Sequence, residues 1–145
     1  MLPDPDATSV DATIGEFYFR APGVASVKWD EGESTVFVEW EGWANSTEFA
    51  ALLDAEVRAL AEHHGSRVLA DCRRQKVLSP ADQEKADREW VPQALAAGLK
   101  QFAVVLPTSA LAAMNLGDRL GKVPDGAFAV GYFENVSAAK RWLAS

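Results

Sequence analysis

The sequence predicts an α/β protein with a mixed sheet of five or six strands flanked by about four helices. Three observations lead there. Two strand-like segments flank a polar, glycine-containing turn, as in an antiparallel hairpin. Helical and strand-like segments then alternate to the end of the chain, which implies parallel strands joined by helical crossovers. Two short runs, Val68-Leu69-Ala70 and Phe102-Ala103-Val104-Val105-Leu106, are apolar on both faces, as central strands covered by helices are.

Residues 1–13 are rich in Pro, Asp, Ser and Thr and offer little to bury, so they read as a loose arm ahead of one domain over 14–145. The aromatic stretch Glu16-Phe17-Tyr18-Phe19-Arg20 reads as an edge strand, stopped by Pro22-Gly23. The hairpin follows, with Ala25–Asp30 and Thr35–Glu41 on either side of Glu31-Gly32-Glu33-Ser34. Val36, Val38 and Trp40 alternate with Phe37, Glu39 and Glu41 and so share one face.

Asn45-Ser46-Thr47-Glu48 carries a helix start. A side-chain oxygen there accepts from the free N–H groups of the first turn, and the acid favours the positive helix end. Phe49, Leu52, Leu53, Val57, Leu60 and Ala61 follow at helical spacing, and Gly65 stands where a left-handed residue ends a helix. A strand over 67–72 comes next. Ser79-Pro80-Ala81-Asp82 then supplies a cap, a proline at the first helical position and an acid three residues after the cap. The helix so begun contains Ala86, Trp90, Val91 and Leu95, with Pro92 expected to kink or break it, and Gly98 ends the pattern. A second buried strand lies in 100–106 and a short helix over 109–116. A glycine-rich loop is expected over 117–126, a last strand over 127–133 and a final helix capped by Asn135.

With 145 residues, 48% hydrophobic and 24% charged, the chain has the balance of one globular domain. Its net charge of −7 repels phosphate backbones and argues against nucleic acid as a partner. No apolar run approaches the roughly 20 residues of a spanning helix. The first residues lack the basic start and apolar core of a signal peptide, so a cytoplasmic protein is expected. One cysteine excludes an intrachain disulfide and a cysteine-rich zinc site.

Candidate chemistry concentrates where the 67–72 strand ends. Asp71, Arg73 and Arg74 stand at the carboxyl edge of a central strand, where open α/β sheets bind ligands. The helix start at Ser79 presents N–H groups that attract anions. Arg73, Arg74 and Lys76 place three of the chain's 14 cations within four residues. The plainer alternative is that Asp71 pairs with a nearby arginine while the other charges are solvated. Consecutive residues of an extended chain point opposite ways, so one arginine at most turns towards Asp71; Arg73 is nearer the strand end.

Cys72 is expected to be a buried structural cysteine. The Cys-x5-Arg loop of thiol phosphatases is missing, since Leu78 stands six residues on. His63 and His64 are adjacent, point to different helix faces and read as structural rather than metal-binding. The carboxylates Asp82, Glu84, Asp87 and Glu89 share a mixed-charge helix with Lys85 and Arg88 and read as a solvated face. Neither phosphate-binding glycine motif is present. Of the five tryptophans, Trp29, Trp40 and Trp142 fall at core positions, while Trp43 and Trp90 are placed to line a pocket.

Taken in order, the hairpin ending Trp40-Glu41-Gly42, the helix with Glu48-Phe49, Leu69-Ala70-Asp71, Leu78-Ser79-Pro80-Ala81-Asp82, Trp90, Pro92, Gly98-Leu99-Lys100, Ala103-Val104-Val105 and Ala139-Lys140-Arg141-Trp142-Leu143 suggest a family. The series resembles the SpoIIAA-like proteins of the STAS/SEC14 domain grouping, over residues 25–144. The resemblance implies a STAS-like fold, a bacterial protein and a non-catalytic ligand- or protein-binding regulatory module.

Anti-anti-sigma relatives begin the corresponding helix with an Asp-Ser-Ser-Gly run whose serine is phosphorylated. Here Ser79 is the only hydroxyl in that stretch and Pro80 follows it, so a helix cap is expected rather than a phosphoswitch. SEC14-type relatives imply an alternative, a carrier of a small apolar or lipid-like ligand with Trp43 and Trp90 lining the pocket. A third reading is an enzyme using Cys72 or Asp71. The first is preferred, with Asp71, Arg73, Arg74, Ser79 and Trp90 as ligand-binding candidates. No catalytic residue, metal or cofactor is expected. The partner expected is a protein or a small anionic or apolar ligand, and a homodimer is compatible with such a module.

Overall fold

The computed structural model of the chain describes residues 16–76, 78–113 and 128–145. Among these are six strands and four helices, and all six strands form one mixed sheet in sequence order. Strands β1 (Phe17–Ala21), β2 (Ala25–Asp30) and β3 (Thr35–Trp40) are antiparallel; β4 (Arg67–Asp71), β5 (Gln101–Val105) and β6 (Ala129–Phe133) continue from β3 in parallel. Helix α1 (Ser46–His63) joins β3 to β4 and α2 (Pro80–Ala96) joins β4 to β5. The short α3 (Thr108–Ala113) follows β5, and α4 (Val136–Ala144) closes the chain. The expected arm and glycine-rich loop lie outside the described residues.

Alternation along the strands builds two cores. Val36, Val38, Val68 and Ala70 meet Leu52, Ala55, Ala59 and Leu60 of α1 and Ala94 of α2 on one face. Leu69, Ala103 and Val105 meet Ala139 and Leu143 of α4 on the other. β4 is thus buried on both sides, as its uninterrupted apolar run requires. β1 lies at the edge, held to α1 through the Tyr18 hydroxyl, 2.9 Å from Glu62 Oε1, and the Arg58 guanidinium, which donates to the Tyr18 carbonyl. His63 stacks flat on Trp29 at 4.3 Å, a packing role.

All three predicted caps, at Asn45, Ser79 and Asn135, form. Asn45 and Glu48 make a reciprocal capping box at α1, each accepting from the other's backbone N–H. Three expectations change. α1 ends with His64, not Gly65, in the left-handed conformation (φ 52°). Gly65 answers a different need: a Cβ there would lie 2.9 Å from the Trp29 ring, so the glycine permits close approach. Pro92 does not break α2, which runs unbroken to Ala96. Proline removes the hydrogen bond to the Arg88 carbonyl, and both residues are exposed, so water can take that place. Along α1 the buried positions are Leu52, Ala55, Glu56, Ala59 and Leu60, while Ala61 is exposed. The inward face therefore includes a glutamate.

Candidate functional site

At the end of β4 the structure brings Asp71, Arg73 and Arg74 together around a shallow shelf of about 260 Å³ shared with Glu39 and Trp40. Arg73 turns back on Asp71 in a fork, Nε donating to Oδ1 at 2.9 Å and a terminal nitrogen to Oδ2 at 2.8 Å, with its backbone N–H also donating to Oδ1. Burial pushes the Asp71 carboxyl up, but the Arg73 hydrogen bonds and charge, helped by Arg74, outweigh it and hold the group below the usual carboxylate range. With two acids and two arginines the shelf has no excess positive charge.

Ser79 does not join the shelf. Its hydroxyl accepts from the Asp82 N–H at 3.1 Å and caps α2, with Pro80 at the first helical position. The Asp82 carboxylate sits in that same first turn and accepts from Ser46 Oγ at 2.9 Å, so an acid of the chain already occupies the positive end of the helix. Trp43, expected in a pocket wall, is 54% exposed, because it stands in the connection before α1 rather than on an element facing the sheet.

Trp90 lies elsewhere, on α2, where it faces α1 and the sheet. It packs edge-on against Phe102 and Phe128. Its indole Nε1–H is buried and has no hydrogen-bond partner. The ring forms a common wall of two hollows. The outer is a groove of about 230 Å³ between α1 and α2; the inner, about 170 Å³, lies beneath it against the sheet, and the two share Phe49, Leu53 and Trp90. β3 supplies Val38 and Trp40 to the inner pocket and β5 supplies Phe102. The end of β4 and the following loop supply Ala70, Cys72, Gln75 and Leu78.

The remaining wall is Glu56, one turn beyond Leu52 and Leu53 on the inward face of α1. It is 3% exposed and has no hydrogen bond or ion pair among the described residues. Burial alone raises its carboxyl from the ordinary 4.5 to about 8, so the group is neutral at pH 7. That corresponds to a penalty on the charged form of roughly 5 kcal/mol. Cys72 is a near neighbour, and burial first, then the charges of Glu56 and Asp71, push its thiol up to about 12. A thiol so held is a poor nucleophile at neutral pH.

Of the sequence candidates, then, Asp71, Arg73 and Arg74 are adjacent, Ser79 caps a helix and Trp90 belongs to the inner pocket. Glu56 was missed. Its signal was present, since Phe49, Leu52, Leu53, Glu56 and Leu60 run at helical spacing with one acid inside the apolar stripe.

Fold and site define an α/β domain with a mixed six-stranded sheet and a small aromatic pocket between its paired helices and the sheet. Comparison with protein-family models, with curated proteins and with solved structures finds no match to the chain. No helix among the described residues is long and apolar enough to cross a membrane, and no group of three or more His, Cys, Asp or Glu side chains among them is arranged to hold a metal ion.

Proposed function

We propose that this chain is a non-catalytic, STAS-like binding module whose ligand is a small, largely apolar molecule seated in the pocket between α1, α2 and the sheet. The observation that carries the reading is Glu56, a buried carboxyl with no hydrogen bond or ion pair among the described residues, on a wall whose other polar members are the Cys72 thiol and the Gln75 amide. Isolated buried polar groups destabilise a fold, and where one persists in a cavity a ligand group can supply the missing partner. The unpartnered Trp90 Nε1–H beside the same cavity supports it.

The pocket's size limits the ligand. A cavity of about 150 Å³ admits benzene, so about 170 Å³ suits a ring-sized molecule or a short chain and not a two-chain lipid. The Cys72 thiol, pushed up to about 12 chiefly by burial, is a poor nucleophile at neutral pH, which favours binding over catalysis. The shelf at Asp71 supports an anion less well, since Arg73 is engaged by Asp71.

The Trp90 indole N–H gives a direct test, because it has its own resonance in a proton–nitrogen NMR spectrum. Titration with benzyl alcohol should move that resonance saturably, with the indole resonance of exposed Trp43 unmoved. If the Trp90 resonance stays in place up to the solubility limit of benzyl alcohol, and with benzylamine as well, the pocket is closed and the reading fails. Native mass spectrometry of the freshly purified protein should in addition show a retained mass of ring-sized scale.

A further inference from the structure

We infer that the ligand of this pocket is a small organic amine, bound as its cation with Glu56 as the counter-charge. The inference rests on the pocket reading above and deepens it. Its first support is the placement of Glu56. A nearby opposite charge favours the ionised form of a buried carboxyl, so a ligand cation can pair with it. Among the described residues no lysine or arginine lines the inner pocket, so a cation brought by the ligand can supply that charge.

The second support is the wall itself. Trp40, Phe49, Trp90 and Phe102 present four aromatic rings to a space of about 170 Å³. Aromatic faces attract ammonium groups, more strongly where water is excluded. The negative face of an aromatic ring, by contrast, repels an anion.

The third support is the approach. The outer groove is lined by Asp54, Asp82 and Glu89 against the single cation Lys85. Arg58 and Arg88 pair with Asp54 and Glu89 from outside the groove, whereas Asp82 has only the Ser46 hydroxyl. The net charge of −7 over the whole chain favours the approach of cations over anions. An oxygen on the amine would in addition accept from Trp90 Nε1, the donor left without a partner.

Proton balance gives the inference its own signature. Glu56 is protonated at pH 7 in the empty pocket. An ammonium ligand that pairs with it converts the acid to carboxylate, and the displaced proton leaves to solvent. The other titratable group of the inner pocket, the Cys72 thiol, stays neutral.

The test compares benzylamine with benzyl alcohol, which share a ring and nearly a shape and differ in charge. At pH 7 the wild type should bind benzylamine at least tenfold more tightly, and calorimetry in buffers of different ionisation enthalpy should show release of about one proton per benzylamine and none for the alcohol. Glu56→Gln should bind the two probes alike. Equal affinity in the wild type, or a preference for the alcohol, would overturn the amine inference and leave the pocket reading standing. A benzylamine preference that survives in Glu56→Gln would place the amine on the acidic surface instead and overturn it as well. Failure of both probes to move the Trp90 resonance would remove the pocket reading and this inference together.

Discussion

Glu56 and Asp71 are both buried, at 3% and 8% exposure, one on the helix that covers β4 and the other on β4 itself. Glu56 hangs from α1 among aromatic rings with no partner, and burial pushes its carboxyl up to about 8. Asp71 ends β4, turned like Leu69 away from α1, and the Arg73 fork holds it down despite its burial. Glu56 is the more deeply buried of the two, and burial alone acts on it. Asp71 differs further in having a cation within hydrogen-bonding reach. Asp71 is thereby a satisfied structural group, and Glu56 is the one left with unused binding capacity.

The widest separation between the two appears in stability against pH. Glu56 holds its proton longer in the folded protein than in the unfolded chain. Its contribution is therefore full below the unfolded carboxyl value and falls as pH rises, by up to about 1.4 kcal/mol per pH unit, to a loss of roughly 4 kcal/mol by pH 8. Urea unfolding of wild type and Glu56→Gln at pH 5, 6.5 and 8 should show that decline in the wild type and a flat profile in the variant, which becomes the more stable protein at pH 8. Parallel profiles would mean that Glu56 ionises freely and that the contrast with Asp71 is false.

Asp71 works with the opposite sign. Its folded carboxyl is held below the unfolded value, so its stabilisation is present above the unfolded value and lost as pH falls through the folded one. Asp71→Asn should cost about 1–2 kcal/mol at pH 7, reduced from a fully buried pair because Arg73 is partly exposed, and the cost should shrink in acid. A constant cost from pH 7 to pH 2.5 would assign the effect to packing and remove the Arg73 charge from the account.

Smaller effects locate the edges of the contrast. Ser79→Ala should destabilise by about 1 kcal/mol through loss of the cap on α2, with Ser79→Asp largely restoring it. The Trp90 indole resonance should hardly move in either, since Ser79 lies outside the pocket. Arg74→Gln should change stability by less than about 0.5 kcal/mol, because Arg74 reaches Asp71 only through its charge. A loss as large as that of Arg73→Gln would show that the two arginines share the clamp.

The residues expected at the site were legible in unequal measure, for reasons of reach. The Asp71–Arg73 pair spans two residues, and the fork follows from local geometry. The Ser79 cap spans three. Trp90 was legible as a wall near Pro92, but its neighbours Phe102 and Glu56 come from other elements and meet it only in the folded chain. Glu56 was hidden by the assumption that an acid on a helix faces water. The stripe from Phe49 to Leu60 contained it in plain order, and a count of the polar residues inside that stripe would have found it.

By itself the sequence determined the α/β class, the antiparallel hairpin, the parallel strands after it and the caps at Asn45 and Ser79. Each of these follows from periodicity or from contacts within a few residues. Only the tertiary structure decided that Gly65 serves close approach to Trp29, that Pro92 stays inside α2 and that Trp43 faces water. It also decided that a lone glutamate closes an aromatic pocket. Those outcomes depend on which surfaces distant segments present to one another, and solvent exclusion, which raises the Glu56 carboxyl, is a property of that assembly and of no local run of residues.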